Sequence, residues 1–338
     1  MKLTYNQICS ATCGAAYVSE EADGIHFRRF TKEQDALYLN VRTIFAAKSQ
    51  ATSGMRMEFR TNSKSLTIKT SVTPGSSRSY FCFEIFVNGK CQGRLANFEV
   101  GEERDYITGV FETGRFEKTF ALGEGEKDVC IYFPWSAKTV IEEISVDDEA
   151  YIQSTGAKKK FLFFGDSITQ GYDALSPSLR YPARIVDAFG MEEVNKAIGG
   201  EVYCEELVRG QDDLNPDYIL IAYGTNDWGK STKDSVKENC EGFYKYICAR
   251  YPDIPIFTLT PIWRKDENEE HAFGEFHEVA QLIRDTVAPY KNVTLIEGYD
   301  LVPKDGSYYL DGYLHPSNEG FEHYFQHLYQ ELKEKVQA

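Results

Sequence analysis

The chain of 338 residues is longer than one average domain, and its 42% hydrophobic and 14% aromatic content suffices for packed cores. A formal net charge of −15 excludes sequence-independent nucleic-acid binding as the expected role, because phosphates would be repelled. No stretch approaches the roughly 18 to 20 consecutive apolar residues of a membrane span.

The opening MKLTYNQICSATCG has no basic cluster followed by an apolar run, which predicts no signal peptide and a cytoplasmic protein. The eight cysteines are mostly scattered, and Cys82 and Cys130 sit inside strand-like apolar runs. Free buried thiols are therefore expected instead of a disulfide framework, and no Cys/His group has zinc spacing.

Up to about residue 150 the hydrophobic pattern has period two. Met55, Met57 and Phe59 alternate with polar residues, Asn62-Ser63-Lys64 reads as a turn, and Leu66 and Ile68 resume the alternation, which predicts a hairpin. Phe81, Phe83, Ile85 and Val87 lead into Asn88-Gly89, a pair suited to a tight turn because both residues tolerate positive φ. Further strands are predicted at Ala36–Phe45, Asp105–Phe111, Arg115–Leu122, Asp128–Phe133 and Thr139–Val146. Many short strands without a long helix imply an antiparallel sandwich, expected to be of jelly-roll type.

After Lys158-Lys159-Lys160 the rhythm changes. Unbroken apolar runs at Phe161–Phe164, Asp217–Tyr223, Ile254–Leu259 and Val293–Ile296, with a weaker one around Val194, suit parallel strands buried on both faces. Helical patterns lie between and after them at Tyr181–Phe189, Val202–Arg209, Val236–Tyr251, Phe273–Ala288 and Glu319–Val336. The expectation is a β-sandwich over residues 1–155 followed by a three-layer α/β/α domain over 156–338. In open parallel sheets ligands bind beyond the carboxyl ends of the strands, so the loops starting at Gly165, Ala197, Gly224, Thr260 and Gly298 are where chemistry is sought.

Ser167 stands two residues past the first of these strands. It reads either as the cap of the following helix or as a nucleophile, and a nucleophile needs a base. Gly199-Gly200 allows a backbone N–H to approach a ligand closely. Asn226 brings an amide to the same rim in Tyr223-Gly-Thr-Asn-Asp-Trp228. Of six histidines, His26, His271, His277, His323 and His327 fall in the β-rich half, on a helix or next to one, whereas His315 lies in Asp311-Gly-Tyr-Leu-His-Pro316, after the last strand.

Gly165-Asp-Ser-Ile-Thr169, Gly200, Gly224-Thr-Asn-Asp227 and His315-Pro316 resemble, in order, the four blocks of the SGNH (GDSL-type) hydrolases. The resemblance covers about 180 C-terminal residues. It implies a flavodoxin-like sheet, no metal or other cofactor, Ser167 as nucleophile, His315 as base, and an oxyanion hole from the Ser167 and Gly200 N–H groups and the Asn226 side chain. The family usually carries Asp three residues before its His, and that position here is Gly312. Asp311, one residue earlier, is the candidate to orient His315, the alternative being a backbone carbonyl.

A β-sandwich ahead of such a domain is similar to the carbohydrate acetylesterases of family two, which implies removal of O-acetyl groups from small carbohydrates. Tyr172, Trp228, Trp263 and Arg264, near the blocks, are the candidates to hold a sugar, with packing as the alternative. Two other readings remain: an acylhydrolase acting on non-carbohydrate esters, and a sugar-binding protein with a relict site.

Overall fold

The computed structural model describes residues 1–99, 101–210 and 214–337. The chain forms two compact units, one of Met1–Thr31, Ala46–Lys158 and Leu175–Ser178, the other of Lys32–Phe45, Lys159–Ala174 and Leu179–Ala338. This differs from two continuous halves, because Lys32–Phe45 precedes most of the first unit's strands yet folds with the second.

The first unit holds two antiparallel sheets. One contains Arg56–Thr61, Lys127–Tyr132, Cys82–Val87 and Lys90–Ala96 in that order, and the other contains Tyr17–Glu21, Gly24–Arg28, Ala137–Val146, Ser65–Pro74 and Gly114–Ala121. Alternate residues of both sheets enter one core: Met57, Phe59, Ile85 and Ile131 from the first, Leu66, Ile68, Ile141 and Ile144 from the second. The Asn88-Gly89 turn has the expected positive φ at both residues, 48° and 76°, and Val87 pairs with Lys90 across it.

Three sequence expectations are corrected. Arg56–Thr61 and Ser65–Pro74 are not a hairpin but belong to different sheets, so Asn62-Ser63-Lys64 carries the chain from one sheet to the other. Residues 105–111 form turns, tied by the Asp105 carboxylate accepting from the Ile107 and Thr108 N–H groups. Residues 36–45 are helical: an α-turn at Lys32–Ala36, a π-turn at Leu37–Val41 and a 3-10 turn at Thr43–Phe45. Their apolar residues are spaced to bury Tyr38 and Phe45 while leaving Leu39, Val41 and Ile44 exposed, a pattern that counting alternation misread.

The second unit is a five-stranded parallel sheet. In sheet order its strands are Glu192–Asn195, Lys160–Gly165, Tyr218–Ala222, Ile256–Leu259 and Val293–Ile296, the sequential order 2-1-3-4-5 of flavodoxin-like folds. Phe161 to Phe164 and Ile219 to Ile221 are buried throughout, as strands covered on both faces require. Helices Tyr181–Phe189, Lys233–Arg250, Phe276–Val287 and Asn318–Leu332 supply the covering. No disulfide joins any of the eight cysteines. No described helix is long and apolar enough to cross a membrane.

Candidate active site

The strand Lys160–Gly165 ends at Asp166, which caps the helix Ser167–Gln170 by accepting the Ile168 N–H at 3.0 Å. Burial pushes the Asp166 carboxyl up to about 6. The helix stops after one turn at Gly171, whose φ of +115° has no room for a side chain because a Cβ would strike Arg180. Ser167 is thereby held at the carboxyl end of the strand Lys160–Gly165, 5% exposed.

His315 arrives on a loop closed by an antiparallel bridge between Tyr309 and Pro316 and by the Leu310 N–H donating to the His315 carbonyl. Its Nε2 lies 2.8 Å from Ser167 Oγ and its Nδ1 2.6 Å from Asp311 Oδ2. With Nδ1–H donating to the carboxylate, Nε2 is left to accept the serine proton. Asp311 Oδ1 meanwhile accepts the backbone N–H groups of Tyr313, Leu314 and His315 at 2.9 to 3.0 Å. Although burial opposes it, the hydrogen bond and charge of His315, with those N–H donors, hold the Asp311 carboxyl down at about 2. The extra residue relative to the family spacing is absorbed at Gly312, whose φ of +78° turns the chain tightly enough for Asp311 to reach the imidazole. A second carboxylate, Asp173, is fully buried with Oδ2 3.8 Å from the same Nδ1.

Ile198-Gly199-Gly200-Glu201 is a β-turn closed by the Glu201 N–H donating to the Ile198 carbonyl. Gly200 has φ +87°, as the third residue of a type II turn does. Among the described residues neither the Ser167 N–H nor the Gly200 N–H donates to a protein acceptor. Asn226, on the helix Thr225–Lys230, donates one amide hydrogen to the Glu201 carbonyl at 3.2 Å and is half-exposed. Asp227, next to it, accepts from Gly224 and Tyr203 N–H groups and is pushed up to about 7 by burial. The three candidate oxyanion donors therefore stand on two short helices and one hydrogen-bonded turn.

The expected sugar-binding set divides. Trp228 is fully buried, donates to the Gly274 carbonyl and lies against Phe276, so it is a core residue and not a rim aromatic. Arg264 is 8% exposed, its guanidinium over the Trp228 ring, with Nε and Nη2 on the Asp266 carboxylate and Nη1 on the Thr225 carbonyl. Tyr172 is 3% exposed and wedged between the His315 ring, 5.4 Å away, and Gly199, where a Cβ would strike it. Trp263 alone of the four stays half-exposed, with Tyr309 beside it and Glu267 accepting its N–H. The reason is the same for the three that close: the loops carrying them fold onto the strand ends, and bulky side chains fill the space beneath.

Residues that sequence reading missed include Asp173, Gln170, Lys230, Glu201 and Arg42. Gln170 Oε1 accepts the Gly199 N–H at 2.7 Å, and Lys230 Nζ donates to the Gly200 carbonyl at 2.6 Å. Only Glu201 carried a signal, as a charged residue directly after a glycine pair. Three ligand atoms lie close together in the set Asp173, Asp311 and His315 and in the set Glu21, Asp23 and His26; in the first, His315 Nδ1 already faces Asp311.

A parallel 2-1-3-4-5 sheet carrying a serine, an imidazole and a carboxylate in hydrogen-bonded sequence at its carboxyl end is the architecture of a serine hydrolase. Residues 163–323 match the GDSL-like Lipase/Acylhydrolase family. No curated protein matches the sequence. The fold is similar to that of a salicylyl-acyltransferase from a tetracycline biosynthetic pathway, at 19% identity and TM-score 0.77 over 96% of this chain and 94% of that one. It is equally similar to a Bacteroides ovatus protein assigned to the GDSL-like lipases, at 20% identity and TM-score 0.77 over 100% and 99%. A family two carbohydrate esterase from Clostridium thermocellum, solved with cellohexaose, aligns at 16% identity and TM-score 0.62 over 84% and 93%.

Proposed function

We propose that the protein is a serine esterase that removes O-acetyl groups from small carbohydrates through an acyl-enzyme. The observation that carries this is the chain Ser167 Oγ–His315 Nε2 at 2.8 Å and His315 Nδ1–Asp311 Oδ2 at 2.6 Å. His315 takes the proton of Ser167 as Oγ attacks the ester carbonyl. The oxyanion is received by the N–H groups of Ser167 and Gly200 and by the Asn226 amide, each donor typically worth about 3 to 4 kcal/mol of barrier. The alcohol leaves with the proton now on His315. Water, deprotonated by the same nitrogen, then attacks the acyl carbon and releases acetate. Asp311, ionised from about pH 2 upward, fixes the tautomer and stabilises the imidazolium.

The carbohydrate part of this reading is supported by the fold shared with family two carbohydrate esterases and by the half-exposed Trp263, an aromatic face suited to a sugar ring. The full-length similarity to an acyltransferase favours a second reading, in which an alcohol other than water takes the acyl group. The test is turnover of p-nitrophenyl acetate, a long-chain p-nitrophenyl ester and an acetylated xylo-oligosaccharide by wild type and Ser167→Ala. Serine-dependent release of acetate from the oligosaccharide, with the long-chain ester poorly used, is expected. Hydrolysis that survives Ser167→Ala would remove the mechanism. Acyl transfer to an added sugar or phenol at the expense of hydrolysis would select the second reading.

A further inference from the structure

The oxyanion turn is held by more than its own hydrogen bond. Glu201, its last residue, is fully buried, and its carboxylate forms an ion pair with Arg42. Burial pushes the Glu201 carboxyl up while the Arg42 charge pulls it down. Arg42 belongs to Lys32–Phe45, the segment flanked in sequence by strands of the first unit but folded with the second. Two hydrogen bonds of Gln34 also fix that segment there. Gln34 accepts from the fully buried Lys196 at 2.9 Å and donates to the Leu207 carbonyl at 3.1 Å; within the segment, Tyr38 is buried completely with its ring edge-on to Phe45. Val41 and Ile44, either side of Arg42 in sequence, are by contrast 73% and 81% exposed. The segment is anchored through its polar residues and not through its outermost apolar ones.

Resting on the esterase reading above, we propose that Arg42 is a positioning residue for acyl transfer, and that Lys32–Phe45 is a strap whose docking sets the oxyanion turn. Type I and type II turns differ chiefly by rotation of the central peptide, here the Gly199–Gly200 peptide, whose N–H is the expected oxyanion donor. Glycine at both central positions makes that rotation easy, so the turn itself does not choose. The choice is made by its flanks: the Gly199 N–H on Gln170, the Gly200 carbonyl on Lys230, and the Glu201 side chain on Arg42. Removing Arg42 leaves a buried carboxylate without its cation, and Glu201 must then turn toward water or take up a proton. Either outcome releases one end of the turn. The donor is needed only when the oxyanion develops, so its misplacement lowers kcat and leaves KM nearly unchanged. A misplacement of about 1 Å at a catalytic donor costs on the order of 100-fold.

The experiment compares wild type, Arg42→Met and Arg42→Lys on p-nitrophenyl acetate, with hydrogen exchange of the peptide containing residues 198–203. Arg42→Met is expected to lose about 100-fold in kcat at constant KM and to exchange faster in that peptide. Arg42→Lys should recover part of the rate, and millimolar methylguanidinium should partly rescue Arg42→Met, because Arg42 is half-exposed and the vacated site is reachable. A kcat within threefold of wild type in Arg42→Met would overturn the inference, as would a loss carried entirely by KM. Should wild type show no Ser167-dependent turnover, the esterase reading fails, and the exchange measurement still decides: unchanged protection of residues 198–203 in Arg42→Met overturns the strap. If Arg42→Met does not fold, the kcat-against-KM split in Arg42→Lys carries the same two outcomes.

Discussion

The His315 loop and the Trp228–Arg264 cluster are built from the same kinds of residue and end in opposite states. In the loop, Asp311 uses one oxygen on three backbone N–H groups and the other on Nδ1, which leaves Nε2 free to accept from Ser167. In the cluster every outward-capable group is turned inward: Arg264 onto Asp266, Thr225 and the Trp228 ring, and Trp228 onto Gly274. A reactive site keeps one acceptor or donor whose best partner is the substrate or the nucleophile. A structural knot satisfies all of its members.

Breaking the loop should cost the most. Asp311→Asn keeps the size of the side chain and can keep the acceptor for the loop N–H groups, but its amide allows the wrong imidazole tautomer. A fall in kcat of about 10³ to 10⁴ is expected, with little change in thermal midpoint. A rate within threefold of wild type would move the orienting role to Asp173, 3.8 Å from the same nitrogen. Breaking the cluster should act on stability instead. Trp228→Ala opens a cavity in a fully buried position and should cost about 3 to 5 kcal/mol in urea unfolding, with KM for acetyl esters nearly unchanged. Trp263→Ala, at a half-exposed ring, should do the reverse: a KM for acetylated oligosaccharides raised about 3- to 10-fold and a stability change near 1 kcal/mol. If Trp228→Ala raised KM while Trp263→Ala did not, the two tryptophans would have to exchange roles.

The same contrast explains what the chain reveals before it folds. The parallel strands were readable because burial on both faces leaves unbroken apolar runs, Ser167, Gly200 and Asn226 because each follows such a run within a few residues, and His315 because it stands with Pro316 just ahead of the last helix. Asp311 was readable as a candidate, but only the φ of Gly312 decides whether it reaches His315. Exposure was not readable. Trp228 and Arg264 have the composition of a sugar subsite, and nothing in local sequence says that Asp266 and Gly274 will close over their polar atoms. Lys32–Phe45 was invisible for a related reason: its helical turns are too short for a period to emerge, and its partners Lys196, Glu201 and Leu207 lie more than 150 residues away.

The smallest effect expected is on the pH dependence of stability, and it separates the two kinds of carboxylate at the site. Asp311, held down at about 2, contributes stability that is fully present above the ordinary carboxylate range near pH 4 and is lost as pH falls toward 2. Asp166 and Asp227, raised by burial to about 6 and about 7, have the opposite sign. Their protonated forms suit the folded state, so their contribution is complete below about pH 4 and disappears as pH rises through 6 and 7. The thermal midpoint should therefore be highest near pH 4, decline by a few degrees between about pH 4 and 7, and level off above that. Asp166→Asn tests the assignment, because an Asn oxygen accepts the Ile168 N–H as the Asp does while the side chain no longer ionises. It should make the decline between about pH 4 and 6 shallower and leave the acid limb in place. A variant whose midpoint still falls as wild type does across pH 4 to 6 would show that the buried cap is not what the folded state gains by protonating.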